Sequence, residues 1–288
     1  MFFALNTFIW SPRLELADLP LLERAKTLGA DLVEIQRSGF DDFPVDAVRR
    51  ELERLGLECT LSASPTSPEA CVVADRPEHR RAGVTYLRDA IAAARDLGAR
   101  LLVGPLYAPP WWFTGMRSTD AQWEWAAEGF AAVATDLHAS GVEMAIEPLN
   151  RFETFFLNTA EQGVRLCEAV DDPNVGLLLD TAHMVVEEKD IASAIWLAAP
   201  WLKHLHLPEN DRGTPGTGLI DWNSLFDAVV RSGYAGGCAI ETFPFPAPEL
   251  AMRTRTWRDL ADTSDDLARS GLTFLRRSYA EAVARNHG

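Results

Sequence analysis

Five times in this chain an amphipathic stretch runs into a glycine and then into a short apolar run: Leu28-Gly29, Leu55-Gly56, Leu97-Gly98, Ser140-Gly141 and Ser232-Gly233. Glycine just past a helix is a stop signal, because it enters the left-handed conformation without steric cost. The apolar runs predict strands at residues 2–9, 31–36, 57–62, 100–106, 142–147, 175–180, 202–207 and 237–242. Helical patterns fall between them at 18–28, 43–55, 77–97, 119–140, 158–170, 190–198 and 221–232, with a last one at 264–285. Short apolar strands alternating with helices are the signature of parallel βαβ units. Their number points to a closed α/β barrel of the (β/α)8 type rather than an open doubly wound sheet. No Gly-x-Gly-x-x-Gly follows the first strand, which removes the usual dinucleotide reading.

A chain of 288 residues suits one such barrel, predicted as a single domain over residues 1–288. The segment from Ser62 to Pro77 is rich in Pro and Ser, but strand and helix signals flank it and it reads as a loop. A formal net charge of −15 disfavours nucleic acid, whose binding depends on clustered Lys and Arg, and an anionic membrane surface. Cys59, Cys71, Cys167 and Cys238 show no Cys-x-x-Cys spacing and sit in mostly apolar settings, as reduced buried thiols do. The first residues lack a basic leader and a cleavage site, and no apolar run approaches membrane-spanning length. The expectation is a soluble, cytoplasmic protein with a small-molecule substrate.

Four consecutive strands end in chemistry-bearing residues: Met144-Ala145-Ile146 in Glu147, Leu177-Leu178-Leu179 in Asp180, Lys203-His204-Leu205 in His206, and Cys238-Ala239-Ile240 in Glu241. In (β/α)8 barrels the chemistry sits at the carboxyl ends of the strands. Each residue alone has a structural explanation: a rim salt bridge for Glu147 or Glu241, a turn cap for Asp180, a satisfied core histidine for His206. Together the structural explanations fare worse, because three carboxylates at one barrel mouth repel one another unless a cation lies among them. Three oxygen ligands and one imidazole suit a divalent ion of the Mn, Mg or Co type, and the absence of thiolates argues against structural zinc. His204 and His206 face the same side of one strand, and only His206 is near enough to the carboxyl end to reach the mouth.

The stretches Glu147-Pro148-Leu149-Asn150-Arg151-Phe152-Glu153-Thr154, Leu179-Asp180-Thr181-Ala182-His183-Met184, His204-Leu205-His206 and Asn210-Asp211-Arg212-Gly213-Thr214-Pro215-Gly216 resemble the D-tagatose 3-epimerase and D-allulose (D-psicose) 3-epimerase family of xylose-isomerase-like TIM barrels. The resemblance covers nearly the whole chain, and the middle motifs are the specific ones. It implies one Mn2+-type ion per subunit (Mg2+ or Co2+ as alternatives) held by Glu147, Asp180, His206 and Glu241. It also implies that Glu147 and Glu241 double as the acid/base pair, that Glu153, His183 and Arg212 hold sugar oxygens, and that the protein is a homodimer or homotetramer. The chemistry agrees. Inverting C3 of a ketose requires proton removal from one face and delivery to the other, with charge stabilised on the oxygens of C2 and C3.

Substrate choice is expected in the pocket walls: Asn6, Phe8 and Trp10 on the first strand, Ser62 and Ser64 near the third, Leu106 and Tyr107 at the fourth. Trp111-Trp112-Phe113 departs from the family pattern. It is read as an apolar lid over one end of the substrate, with a subunit contact as the alternative. An aldose-ketose or hydroxypyruvate-type isomerase, or a lyase on oxidised sugar glycosides, would use the same ligands. A phosphodiesterase resembling the abasic-site endonucleases fits less well, since six scattered histidines and a negative chain lack its histidine-rich cluster and basic face.

Overall fold

Eight parallel strands pair in sequence order and close on themselves, β1 bonding to both β2 and β8. They are β1 (Phe2–Asn6), β2 (Leu32–Gln36), β3 (Glu58–Ser62), β4 (Leu101–Gly104), β5 (Glu143–Ile146), β6 (Val175–Asp180), β7 (Leu202–His206) and β8 (Gly237–Ile240). Around them lie α1 (Pro20–Thr27), α2 (Val45–Leu55), α3 (Pro77–Leu97), α4 (Asp120–Ala131), α5 (Ala134–Ser140), α6 (Ala160–Val170), α7 (Thr181–Glu187), α8 (Ile191–Ala198), α9 (Trp222–Arg231), α10 (Pro248–Thr254) and α11 (Ser264–His287). This is a computed structural model, and it describes residues 1–243 and 248–287.

The glycines at 29, 56, 98, 141 and 233 all have positive φ, between 59° and 99°, as the helix-stop reading requires. Strands such as Val175–Asp180 are buried along their whole length, because one face meets the helices and the other fills the barrel. The main core lies between strands and helices, where Leu5, Val33, Leu61, Leu102, Ile146 and Leu179 meet Leu22, Val48, Ile91, Phe130 and Leu275.

Element ends differ from expectation where local hydrogen bonding wins. The first strand stops at Asn6, whose side chain accepts from the Phe8 amide at 2.8 Å and starts a 3₁₀ turn over Thr7–Ile9. Trp10 therefore leaves the pocket side, and its indole N–H donates to Asp265 at 3.0 Å. The predicted 119–140 helix is two helices: Val133, fully buried, takes φ −111° and ψ 4° between α4 and α5. Asp18 sits in a preceding 3₁₀ turn, and α1 begins at Pro20. All four cysteines are free and buried, and burial pushes the Cys59, Cys71 and Cys167 thiols up to about 12. Among the described residues no helix is long and apolar enough to cross a membrane.

Candidate metal centre

Strand register assembles the site. Asp180 and His206 are paired residues at the ends of β6 and β7. Glu147 follows β5 by one residue and continues its ladder, its N–H donating to Gly104 O at 3.0 Å. Glu241 likewise follows β8. The four side chains meet at His206 Nδ1, which lies 3.5 Å from Asp180 Oδ2, 3.6 Å from Glu241 Oε2 and 3.7 Å from Glu147 Oε1. All four residues are buried, and their nearest ligand atoms lie within 4.8 Å of one another.

Asp180 fills two roles with its two oxygens. Oδ1 caps α7, accepting from the Ala182 and His183 amides at 2.7 and 3.3 Å, and Oδ2 is left facing the cluster. The cap also sets His183, the third residue of α7, over the site with Nε2 3.5 Å from Glu147 Oε1. On its other side His183 Nδ1 lies 2.8 Å from Asn150 Nδ2, which also donates to Glu153 Oε1 at 3.1 Å. Asn150 Oδ1 accepts from the Phe152 amide, so its NH₂ faces the ring and Nδ1 is the acceptor.

Arg212 closes the cluster from the loop after β7. Nη1 donates to Asp180 Oδ2 at 2.6 Å and to Glu241 Oε2 at 2.9 Å, while Nη2 lies 3.0 Å from His183 Nε2. The residue has φ +65°, an uncommon conformation for a side-chain-bearing residue. Its loop is moulded round Glu209, wholly buried, which accepts from the amides of Asn210, Gly216 and Ile220 and from the Trp222 indole.

The electrostatics follow from this crowding. Burial pushes the Glu147 carboxyl up and the Glu241 charge adds to the rise, against the opposing pull of His206. Burial alone would also raise Asp180, but Arg212, His183 and His206 hold it well below the usual carboxylate range. For His206 burial favours the neutral ring, yet Glu34 and Glu241 raise it well above the ordinary histidine value. The pocket draws positive charge to Nδ1. Glu147 Oε1 and His206 Nδ1 are buried without a hydrogen-bond partner. Three carboxylates set against one guanidinium leave an excess of acceptor oxygens that a cation would satisfy. The donor set therefore fits a hard divalent ion.

The remaining sequence candidates divide. Glu153, His183 and Arg212 stand around the cluster. Trp111 and Trp112 are partly buried on the loop after β4: Trp111, with φ +64°, donates its amide to Glu153 O at 2.7 Å, and Trp112 packs edge-on against Phe155 at 5.4 Å. Asn6 does not face the pocket; it is wholly buried and donates to Glu34 at 2.8 Å, because β1 turns its side chain inward beside β2. Tyr107 is not a pocket wall either. It is wholly buried, its ring on Phe156 at 5.3 Å and its hydroxyl 3.5 Å from Leu157 O, so it supports the β5 loop from beneath. Glu34 and Glu209 are not among the sequence candidates, although an acid inside Leu32-Val33-Glu34-Ile35 carries the same signal, a buried carboxylate that needs a partner, that singles out Glu147.

The chain belongs to the xylose isomerase-like TIM barrel family, whose pattern matches residues 22–277. Within it the chain is similar to ketose 3-epimerases. It is 35% identical over 278 residues to a probable ketose 3-epimerase of Synechocystis sp., covering 96% of both chains. It is 31% identical over 251 residues to the D-psicose 3-epimerase of Ruminiclostridium cellulolyticum, covering 85% of both. A solved structure of L-ribulose 3-epimerase superposes with a TM-score of 0.93 at 30% identity, covering 99% of this chain and 97% of that one.

Proposed function

We propose that this chain is a metal-dependent ketose 3-epimerase, interconverting free ketoses that differ at C3, such as D-allulose and D-fructose, D-tagatose and D-sorbose, or ketopentoses. The observation that carries the reading is the convergence of Glu147, Asp180 and Glu241 on His206 Nδ1, with Glu147 Oε1 buried and unpaired. These four residues would hold the ion, Mn2+ in this reading. When bound it supplies electrophilic stabilisation of negative charge on the C2 and C3 oxygens.

The chain's own residues do the rest. Glu147 and Glu241 come from strands three places apart around the barrel, so one takes the C3 proton from one face and the other returns a proton to the opposite face. Burial raises the Glu147 carboxyl, which suits it to proton exchange. His183 Nδ1 accepts from Asn150 and Nε2 lies 3.0 Å from Arg212 Nη2, so the imidazole and the guanidinium stand side by side toward the sugar's oxygens. Arg212 brings a cation to the same oxygens, and Glu153 accepts a hydroxyl hydrogen beside them. Strain at Trp111 φ +64° and its bond to Glu153 O support a lid that moves with the Glu153 loop.

A chelator-treated sample and a Mn2+-reloaded sample, assayed on a panel of free ketoses in D2O, test the reading. Deuterium at C3 with product of inverted C3 configuration is the expected result. Label at C1 or C2 would assign an aldose-ketose isomerase, and activity untouched by chelation would mean that Arg212 alone neutralises the acids. Assembly as a homodimer or homotetramer belongs to the same reading. It is supported by large apolar side chains exposed on loops at the carboxyl end of the barrel, Met116 at 75% and Phe152 at 70% among them, and light scattering checks it. A reducing, cytoplasmic setting is supported by the four free cysteines.

A further inference from the structure

One layer below the cluster, β2 places a carboxylate that the reading above leaves unused. Glu34 is wholly buried in the middle of the barrel, and each of its oxygens meets two partners. Oε1 lies 2.7 Å from His206 Nε2 and accepts from Asn6 Nδ2 at 2.8 Å. Oε2 lies 3.0 Å from His204 Nε2 and accepts from Thr60 Oγ1 at 3.0 Å. Asn6 and Thr60 are the register partners of Glu34 on the two flanking strands, so the backbone ladder itself aims both donors at the carboxylate. The Asn6 amide is oriented by its own Oδ1, which accepts from the Phe8 amide.

Two hydrogen bonds fix the carboxylate, and 2.7 Å from it stands the ring whose other nitrogen faces Glu147, Asp180 and Glu241. We propose that Glu34 is the positioning residue of the metal centre. It keeps a proton on His206 Nε2 and fixes the ring plane, so that the Nδ1 lone pair is aimed where the three carboxylates converge. A metal-ligating histidine generally donates its second N–H to such a group, and loss of that group typically weakens metal binding 10–100-fold. His204 shares the carboxylate and keeps Glu34 centred from the inner layer. The inference rests on the metal-centre reading given above. Glu34, His204 and His206 also lie close enough together to hold an ion themselves. The two hydrogen bonds already made to Glu34 favour a single ion above it.

The test measures Mn2+ affinity by competition with a chelator, the metal-to-protein ratio, and the Mn2+ electron paramagnetic resonance spectrum for the wild type, Glu34→Gln and Thr60→Val, with the metal-free Tm of each. One ion per chain is expected, with binding 10–100-fold weaker and an altered spectrum in Glu34→Gln. Thr60→Val, which leaves both carboxylate oxygens in place but frees one, should show a smaller loss in the same direction. A folded Glu34→Gln protein with wild-type affinity and spectrum overturns the inference. So do two ions per chain of which Glu34→Gln loses one, or a wild type that binds none. Should Glu34→Gln fail to fold, unchanged binding by Thr60→Val overturns it instead. Tight Mn2+ binding that depends on Glu34, in a protein without C3 exchange on ketoses, would defeat the proposed function and leave the role of Glu34 standing.

Discussion

The two halves of the barrel mouth are built from the same strand-helix repeat and carry opposite chemistry. The ends of β5 to β8 present Glu147, Asp180, His206 and Glu241, with Arg212 and His183 above them. The ends of β1 to β4 present neutral groups, Gln36 and Ser62 at paired positions and Leu106 beyond β4, with Glu34 withdrawn one layer down. The Gln36 amide donates to Ser38 Oγ at 3.2 Å, but its Oε1 is buried with no partner. Alternation along β2 puts Gln36 on the same face as Glu34, toward the barrel axis. The charged half can hold a cation and move protons. The neutral half is left to accommodate whatever part of a substrate extends away from the reacting carbon.

The sharpest way to break this contrast is to remove an acid from each reactive position. Glu147→Gln and Glu241→Gln are each expected to lower turnover by roughly 10²–10⁴-fold, since positioned proton transfer contributes about that much. Ser62→Ala, in the neutral half, should leave turnover within a few-fold. Steady-state kinetics with deuterium wash-in at C3 reads both, and comparable losses in the two halves would erase the distinction.

That contrast also explains what the chain reveals before folding. The charged half is legible because each ligand closes an apolar strand at a repeated place in the βαβ unit, and because Glu147, Asp180, His206 and Glu241 repeat it four times in succession. The barrel is legible for the same reason: the glycine stops at 29, 56, 98, 141 and 233 mark the units. Side-chain direction near a strand end is not legible when a local hydrogen bond ends the strand early. The apolar run extends β1 to Ile9 and so sets Asn6 in the wall; the Asn6 cap on Phe8 stops the strand and leaves the side chain inside with Glu34. Tyr107 is not legible either, because nothing local tells an aromatic under a loop from one over a pocket. α7 was missed because its seven residues follow β6 with no break, and its cap, Asp180, is itself the last strand residue.

Arg212 offers the second largest effect. Its guanidinium bonds both Asp180 and Glu241, so Arg212→Met leaves a cluster of buried acids short of a cation. Breaking a buried ion pair from one side costs about 3–5 kcal/mol. The metal-free variant should therefore unfold at markedly lower urea concentration, and saturating Mn2+ should restore more stability to it than to the wild type. An equal metal-induced shift in both proteins would mean that Arg212 does not share the field of the ion site.

A smaller and more selective change is expected in the neutral half. If Gln36 Oε1 receives a distal hydroxyl of the substrate, Gln36→Leu removes one hydrogen bond worth about 1–1.5 kcal/mol, or roughly tenfold. The loss should fall on KM, and it should differ among ketoses that vary in configuration at C4 and C5. Trp112→Ala tests the lid from the opposite side of the same half. A change of ketose preference with unaltered assembly favours the lid, and altered assembly with unchanged kinetics favours the subunit contact.

The smallest effect belongs to a clasp above the charged half. Arg151 donates to Glu187 through Nε at 2.9 Å, through Nη2 at 2.8 Å and through its amide at 2.6 Å, tying the Glu153 loop to α7, which carries His183. Burial works to raise Glu187, but its bonds to Arg151 prevail and hold its carboxyl below the ordinary value. A carboxyl held low in the folded state contributes stability that is present above its unfolded value, near 4.3, and is lost as pH falls through the lower folded value. A double-mutant cycle of Arg151→Ala and Glu187→Gln should therefore give a coupling of about 0.2–1 kcal/mol at pH 7 that fades below about pH 4. Because the clasp joins the Glu153 loop to the helix that presents His183, the single variants should raise KM modestly and leave the metal affinity unchanged. Metal affinity falling with the clasp would show that the loop and α7 hold the cluster together, and that the charged half is less self-sufficient than the strand register makes it.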